Sequence, residues 1–415
     1  MDFSKAFDTI KHDIIIEKLE NYGIRGNALA LFESYLTNRK QYVFTGEYES
    51  DLLDILDGVP QGSVLGPLLF LIYINDLVYS QCNCTTNKCT SNCLDVASFI
   101  LFADDSNLFV SGKSIEEVIE KTNSILSKMK QYLEANFLHI NVGKSKVIQF
   151  VSPNAKNIKI ESSDQKIKFG DFELEQVNSI KFLGIIIDSK LSWEKHIKFV
   201  TNKVRNSISS LYSMRKIISD NMKNSVYNAI VNSQITYAIS VWGGSASKDV
   251  LKPLFYLQKQ ALRNLFAIKR VSKHVKGHTK RIFSERKILS VYNMYTYKTV
   301  MHLAKLMFND IPAVLCEILN LSQTNTTRYN RLYVPKFKCN RYQNSFCYQA
   351  PKIWNMFATS PSLCHDLTNA PTISSLKTRL KSFLISMQSF GENTNDENWY
   401  KFNQSIPEYL SILKS

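Results

Sequence analysis

The sequence predicts an α+β chain, and three observations carry the prediction. As far as Leu191, short strand-like runs alternate with segments of helical spacing. Beyond it only helical spacing recurs, and a tight Phe102-Ala103-Asp104-Asp105 turn joins two strand-like runs. The expected division is 1–191, mixed, then 192–270 and 271–415, both helical. With 415 residues, 44% of them hydrophobic and 12% aromatic, the chain has ample material for two or three packed cores.

Taken in order, Asp2 to Phe7 reads as a short strand that turns into a helix over Lys11 to Tyr22. There Ile14, Ile15, Lys18, Leu19 and Tyr22 keep helical spacing and Gly23 supplies the stop. A second helix covers Ala28 to Leu36, and Gln41 to Phe44 reads as a strand. Leu68 to Leu77 is apolar nearly all round, the pattern of a buried helix. Ser114-Ile115-Glu116-Glu117 is a capping box, opening a helix whose Ile115, Val118, Ile119, Leu126, Met129 and Leu133 share one face. Strands are expected over Lys146 to Val151 and Ile180 to Ile187. Ile197, Val200, Val204, Ile208 and Leu211 then mark an amphipathic helix that carries Lys195, Lys198, Lys203 and Arg205 elsewhere on its surface. Further helices are expected over Met222 to Tyr237, Leu251 to Phe266 and Ile288 to Phe308.

The balance of 51 Lys and Arg against 36 Asp and Glu leaves +15, which points to a polyanionic partner, nucleic acid before membrane. The longest apolar run, Val64 to Ile74, is too short to cross a bilayer, and the first residues lack a signal-peptide core. The expectation is an intracellular protein of nucleus and cytoplasm, not secreted and with no membrane partner. Lys269 to Lys287 holds eight Lys and Arg beside the single acid Glu285, and reads equally as a solvated basic loop or a nucleic-acid contact. Cys82, Cys84, Cys89 and Cys93 lack the paired spacing of common zinc modules. They read as reduced thiols in an inserted loop, with a metal site as the alternative.

The chemistry gathers around Asp104 and Asp105. Adjacent carboxylates repel unless a cation offsets them, although a lone Asp-Asp pair is more often a solvated turn. A third carboxylate, Asp2, stands at an expected strand end. Asp2 and the hairpin pair can converge on two Mg²⁺ ions, the arrangement that activates a 3′-hydroxyl and stabilises leaving pyrophosphate in nucleotidyl transfer. Between them, Gly58-Val59-Pro60-Gln61-Gly62-Ser63 is a loop whose glycines let a nucleotide approach the backbone, with Gln61 offering a hydrogen bond.

These motifs occur in a recognisable order. Asp2-Phe3-Ser4-Lys5-Ala6-Phe7-Asp8 with His12 is followed by Tyr35-Leu36-Thr37-Asn38-Arg39-Lys40-Gln41, then by Gly58 to Ser63 running on through Val64-Leu65-Gly66-Pro67-Leu68-Leu69-Phe70. Next come Phe102-Ala103-Asp104-Asp105, Asn141 with Lys144, and Phe182-Leu183-Gly184. In this ordered set the chain resembles the reverse transcriptase of non-LTR, LINE-type retrotransposons of the jockey-like kind. Ile235-Thr236-Tyr237-Ala238 with Trp242-Gly243, Leu257 to Arg263 and Ala350-Pro351-Lys352-Ile353-Trp354-Asn355 extend the resemblance toward the C-terminus.

The resemblance implies a right-hand polymerase palm with a ferredoxin-like antiparallel sheet, then a helical thumb-like region and a helical C-terminal region. It implies Asp2 and Asp104 as metal ligands with Asp105 completing the acidic cluster, and two Mg²⁺ ions, with Mn²⁺ as a substitute. Phe7 becomes the residue beneath the incoming sugar, with membership of the core as its plain alternative. Gln61 and Gly62 become the nucleotide-pocket loop, Lys144 the cation beside the triphosphate, and Asp8 and His12 local structure. The implied partners are an RNA template, a DNA primer or target and deoxynucleoside triphosphates.

The first acidic motif begins at residue 2, so the family's fingers region and its separate endonuclease are expected to be missing, as in a 5′-truncated element. Two readings follow: an RNA-directed DNA polymerase, or an inactive relic that binds RNA or DNA without turnover.

Overall fold

A computed structural model describes residues 1–81, 97–150, 166–244, 248–268, 279–307, 332–336, 340–358 and 372–389. The chain divides into two compact units, Met1–Ile180 and Lys181–Ser415.

In the first unit, helix α1 (His12–Asn21) buries Ile15 and Leu19 and ends one residue before Tyr22, whose exposed hydroxyl accepts a bond from Asn75. Helix α2 is Asn27–Leu36; strands β1 (Arg39–Gln41) and β2 (Leu53–Ile55) then pair antiparallel, slightly upstream of the expected Gln41–Phe44 strand. Helix α3 (Leu65–Ile74) starts where the Ser63 hydroxyl accepts the Gly66 N–H, and it runs into a 3-10 turn over Asn75–Gln81. Its inner face, Leu69, Phe70, Tyr73 and Ile74, is buried, whereas Leu68 and Leu71 face outward, so α3 is not buried all round as expected. The capping box forms with a variation: Ser114 caps helix α4 (Ile115–Ala135) by accepting the Glu117 N–H, while Glu117 reaches one residue further back, to the N–H of Lys113. Ile119, Leu126, Met129 and Leu133 of α4 meet Ile15, Leu19, Phe70 and Tyr73 in one core.

A half-buried polar brace flanks this core. Lys18 donates to the Tyr73 carbonyl (2.6 Å) and to Asp76 (2.9 Å), and Tyr132 donates to the same Asp76 oxygen (2.6 Å). Such a network holds only because each buried donor finds an acceptor.

The strands are β3 (Ala97–Phe102), β4 (Asp105–Val110), β5 (Lys146–Val147), β6 (Lys168–Phe169), β7 (Phe172–Glu173), β8 (Glu175–Gln176), β9 (Ser179–Phe182) and β10 (Ile185–Asp188). Among the described residues they make separate two-stranded sheets, with β5 and β8 parallel. The first unit is therefore α+β with small sheets. The expected single strand over Ile180 to Ile187 is a hairpin, because Leu183 (φ 44°) and Gly184 (φ 80°) both adopt the left-handed conformation of a type I′ turn.

In the second unit, α5 (Glu194–Met214) lies along α9 (Lys248–Leu265). The helix expected over Met222 to Tyr237 is α6 (Asp220–Tyr227), a π-helical turn at Asn228–Asn232 and α7 (Ser233–Thr236). Helices α8 (Ile239–Trp242), α10 (Lys280–Glu285), α11 (Val291–Met307), α12 (Asn340–Gln343), α13 (Phe346–Ala358) and α14 (Ile373–Ser389) complete the described part. One core, from Trp193 and Val204 through Leu254 and Phe283 to Val300, Trp354 and Leu380, runs through both helical segments expected from the sequence.

Buried amides lock this core. Gln258 donates to Tyr227 Oη (3.0 Å) and to the Leu289 carbonyl (2.9 Å) and accepts from the Val291 N–H (3.0 Å). Gln388 accepts from Ser290 N–H (2.8 Å) and Asn293 Nδ2 (2.9 Å), and Asn355 pairs with both backbone groups of Leu332. At the hairpin turn, Tyr237 Oη donates to the Leu183 carbonyl (2.6 Å) and its ring would lie 3.3 Å from a Cβ on Gly184, while Trp242 Nε1 donates to the Tyr237 carbonyl (2.9 Å). The distant motifs around Phe182-Leu183-Gly184 and Tyr237 to Trp242 are thus one packing unit.

Candidate active site

The site is built on the β3–β4 hairpin. Phe102 stands opposite Asp105, leaving Ala103 and Asp104 as a two-residue turn, and Ala103 has φ 50°. Primed turns match the twist of paired strands but want glycine at such a position. An alanine there costs about 1 kcal/mol, strain of the kind found at functional sites.

The N-terminal residues run as a middle strand between this hairpin and 139–141. Asp2 bridges Asp105 and Phe3 bridges Ile140; the Ser106 N–H donates to the Met1 carbonyl (3.0 Å), the Asn141 N–H to the Asp2 carbonyl (2.8 Å) and the Ser4 N–H to the His139 carbonyl (2.8 Å). This pairing brings Asp2 beside the Asp104-Asp105 turn. Burial first, then the charges of Asp104 and Asp2, holds the Asp105 carboxyl above its ordinary value, opposed by the terminal ammonium.

Asp2 Oδ2 is buried and accepts no hydrogen bond. Lys144 Nζ lies 3.2 Å from it as an ion pair without hydrogen-bond geometry, on a side chain that is 71% exposed. Lys144 is held close by its own backbone, since its N–H and that of Ser145 fold back onto Asn141. Among the described residues no three His, Cys, Asp or Glu side chains converge as a ready-made metal cage.

The Gly58 to Ser63 loop lies against the turn after the first acidic motif. The Gly58 N–H donates to the Ile10 carbonyl (2.7 Å) and the Val59 N–H to that of Phe7 (2.8 Å), and a Cβ on Gly58 would lie 2.9 Å from Asp8 Cα. His12 Nε2 bonds the Gly58 carbonyl (2.8 Å), the local structural part expected of it. Gln61 Nε2 donates to Asp8 Oδ1 (2.8 Å), so Asp8 also holds a residue of the loop. Gly62 (φ 79°) has open space where a Cβ would be. Phe7 is half-buried and leans on Phe70, with ring centroids 4.9 Å apart.

The structure thus brings Asp2, Asp105 and Lys144 together, with Asp104 the chain neighbour of Asp105, and ties Phe7, Asp8, Gln61 and Gly62 into a second group through the 58–63 loop. Sequence reasoning missed Asp8 as the partner of Gln61; no spacing signal reports a bond between residues so far apart. The Cys82 to Cys93 loop and most of the basic stretch, 269–278, lie outside the described residues. The one cysteine described, Cys347, is a free, half-buried thiol.

The hairpin pair, its bridged third carboxylate and the glycine loop all fall within the stretch that sequence comparison matches to a known domain. Residues 1–187 match the family model described as reverse transcriptase (RNA-dependent DNA polymerase), so the chain carries a reverse transcriptase domain. It is similar to the RNA-directed DNA polymerase from mobile element jockey of Drosophila melanogaster, 25% identical over 268 residues, 64% of this chain and 28% of that protein. It is similar also to the probable RNA-directed DNA polymerase from transposon BS of the same species (26% over 292 residues, 67% and 29%). A type-1 retrotransposable element R2 Pol polyprotein of Popillia japonica is 24% identical over 207 residues, 50% of this chain and 33% of that one. The chain spans under a third of the length of the jockey and BS relatives.

Proposed function

We propose that this chain acts in RNA-directed DNA synthesis for a non-LTR retrotransposon. In this reading residues 1–191 are a polymerase palm, 192–270 a thumb-like region and 271–415 a helical C-terminal region. The observation that carries it is the Asp2–Asp105 bridge, which sets the first acidic motif against the strained Ala103-Asp104 turn.

The residues fit a divalent cation. Asp2 Oδ2 is a buried anionic oxygen without a hydrogen bond, and burial together with the neighbouring carboxylates raises the Asp105 pKa, a crowding that a cation would relieve. Mg²⁺ commonly takes one or two protein carboxylates and completes its shell with water and substrate phosphate, so Asp2 and Asp104 suffice without a preformed cage. When bound, two Mg²⁺ ions supply an activated primer 3′-hydroxyl and charge neutralisation at the leaving pyrophosphate, chemistry that Mn²⁺ also supports.

The chain's own residues do the positioning. Asp105 adds negative charge that favours the cations. Lys144, on its exposed and adjustable stem, leaves Asp2 for the triphosphate and offsets charge on the leaving group. Phe7, backed by Phe70, presents a ring that admits a deoxyribose and clashes with a 2′-hydroxyl. Gln61 and Gly62 offer a hydrogen bond and a bare backbone to the incoming nucleotide. The substrates are deoxynucleoside triphosphates, an RNA template and a DNA primer; no described helix is long and apolar enough to cross a membrane.

The test is primer extension on an RNA template with Mg²⁺, comparing the chain with Asp104→Ala and measuring RNA binding alongside. Template-dependent DNA that falls at least about a hundredfold in Asp104→Ala while RNA binding persists is the expected result. Equal synthesis by both proteins overturns the site; RNA binding with no synthesis by either favours the reading of a binding module without turnover.

A further inference from the structure

Helix α11 is the most enclosed of the long helices. Every residue from Val291 to Met307 is buried except Tyr292, Lys298, His302, Lys305 and Met307. Lys298, His302 and Lys305 stand at i, i+4 and i+7, one line along the helix about 10 Å from end to end. Ordinary helices on a surface mix charges of both signs; the middle of this one shows water only basic side chains.

The line is supported. Ser240 Oγ and His302 Nδ1 are 2.9 Å apart, and the His302 ring lies 6.4 Å from that of Phe346. Helix α14 packs against α11 and adds Lys377, close enough to act on Lys298. Burial, then the charges of Lys377 and Lys305, lowers the Lys298 pKa; burial, then Lys298 and Lys305, lowers that of His302. Among the described side chains of this unit the carboxylates are Asp188, Glu194, Asp220 and Glu285. Asp188 accepts backbone N–H groups of Lys190, Ser192 and Trp193, Asp220 pairs with Arg286 and Lys223, and Glu285 pairs with Arg281. Among the described residues none pairs with Lys298, Lys305 or Lys377.

We propose that Lys298, His302, Lys305 and Lys377 form a nucleic-acid site of the second unit that grips a phosphodiester backbone independently of polymerisation. Like charges gathered without a carboxylate repel, and a polyanion relieves that repulsion. Phosphates along one strand advance about 3.4 Å each, so a line of about 10 Å faces roughly three of them. Among the described residues neither α11 nor α14 exposes a large apolar side chain, which leaves nothing to wedge into a bilayer. The proposal rests on the polymerase reading only for why the polyanion is a nucleic acid.

The experiment uses the full chain in EDTA, with labelled single-stranded RNA and blunt duplex DNA that offer no primer terminus, read by fluorescence anisotropy over a salt series. In the triple variant Lys298→Gln, Lys305→Gln, Lys377→Gln, affinity is expected to drop at least about tenfold near 0.1 M salt. The slope of log K against log salt should fall by about 2. The equal-charge control Lys216→Gln, Lys252→Gln, Lys336→Gln, all exposed, is expected to stay within twofold, and Lys→Arg at the three proposed positions to restore binding. The RNA and DNA arms say which backbone is held. Equal loss in the control, no loss in the triple variant, or failure of the arginine variant to restore binding overturns the site. So does a triple variant that keeps its RNA and DNA affinity but loses binding to phosphatidylserine vesicles, titrated in parallel. Repeating the series with Asp104→Ala separates this result from the fate of the polymerase reading.

Discussion

The candidate site of the first unit and the amide clamps of the second use their polar side chains in opposite ways. In the second, Gln258, Gln388 and Asn355 are spent on backbone groups: each bonds both ways to loops that would otherwise bury bare N–H and C=O. In the first, Asp2 keeps a buried oxygen without a hydrogen bond, Asp105 is crowded by like charge, and Gln61 sits exposed on a single bond. A buried polar group left unsatisfied costs about 1–3 kcal/mol. Where such groups are satisfied, the residue serves folding; where they are left open in a cluster, they are available to a ligand.

The same amide in the two settings gives the sharpest contrast. Gln258→Leu strands the Leu289 carbonyl and the Val291 N–H in the core, and is expected to destabilise the second unit by about 4 kcal/mol, read from urea melts. Trp193, Trp242, Trp354 and Trp399 all fall in 181–415, so tryptophan fluorescence follows that unit selectively. A loss below about 1 kcal/mol would mean that the amide clamp is dispensable.

A somewhat smaller effect is expected from pH. His196 is buried on Trp242, ring centroids 5.3 Å apart, accepts the Ile186 N–H at Nδ1, and leaves Nε2 unpartnered. Burial, then the charge of Lys203, lowers its pKa to about 4 from 6.5. The unfolded chain therefore takes up a proton near pH 6.5 that the folded one refuses until about 4. Stability falls as pH drops through that window, by up to about 3 kcal/mol, and is level above it. His196→Gln should flatten the dependence; an unchanged slope would place the titration elsewhere.

The smallest effect on stability belongs to Gln61→Leu, expected within about 0.5 kcal/mol because the residue is exposed. Its consequence should instead be a raised KM for the deoxynucleoside triphosphate in primer extension. A Gln61→Leu protein with wild-type KM would remove Gln61 from the nucleotide pocket.

How much of this was legible in the sequence follows the same division. Local signals were: the Asp104-Asp105 hairpin, the Ser114 cap and the stop of α1 at Gly23 depend on neighbouring residues, and all three formed. The hairpin hidden in Ile180 to Ile187 was not, because its turn places Leu183 at positive φ, a conformation leucine rarely adopts. The clamps of Gln258 and Gln388 escaped for another reason. A glutamine in an amphipathic helix reads as surface, and only the fold shows that Leu289, Val291 and Ser290 lie within its reach. At the site, the residue types were readable, whereas the Lys144 pairing with Asp2 and the Asp8 pairing with Gln61 came only from the folded chain.

We propose that Asp2 and the Asp104-Asp105 pair share one cation-binding centre. Its most direct test is Mn²⁺ binding followed by electron paramagnetic resonance, with template, primer and a deoxynucleoside triphosphate present. The wild-type chain is expected to take up Mn²⁺, and Asp2→Asn and Asp104→Asn each to lose that uptake while remaining folded. Undiminished Mn²⁺ binding in both variants would contradict it.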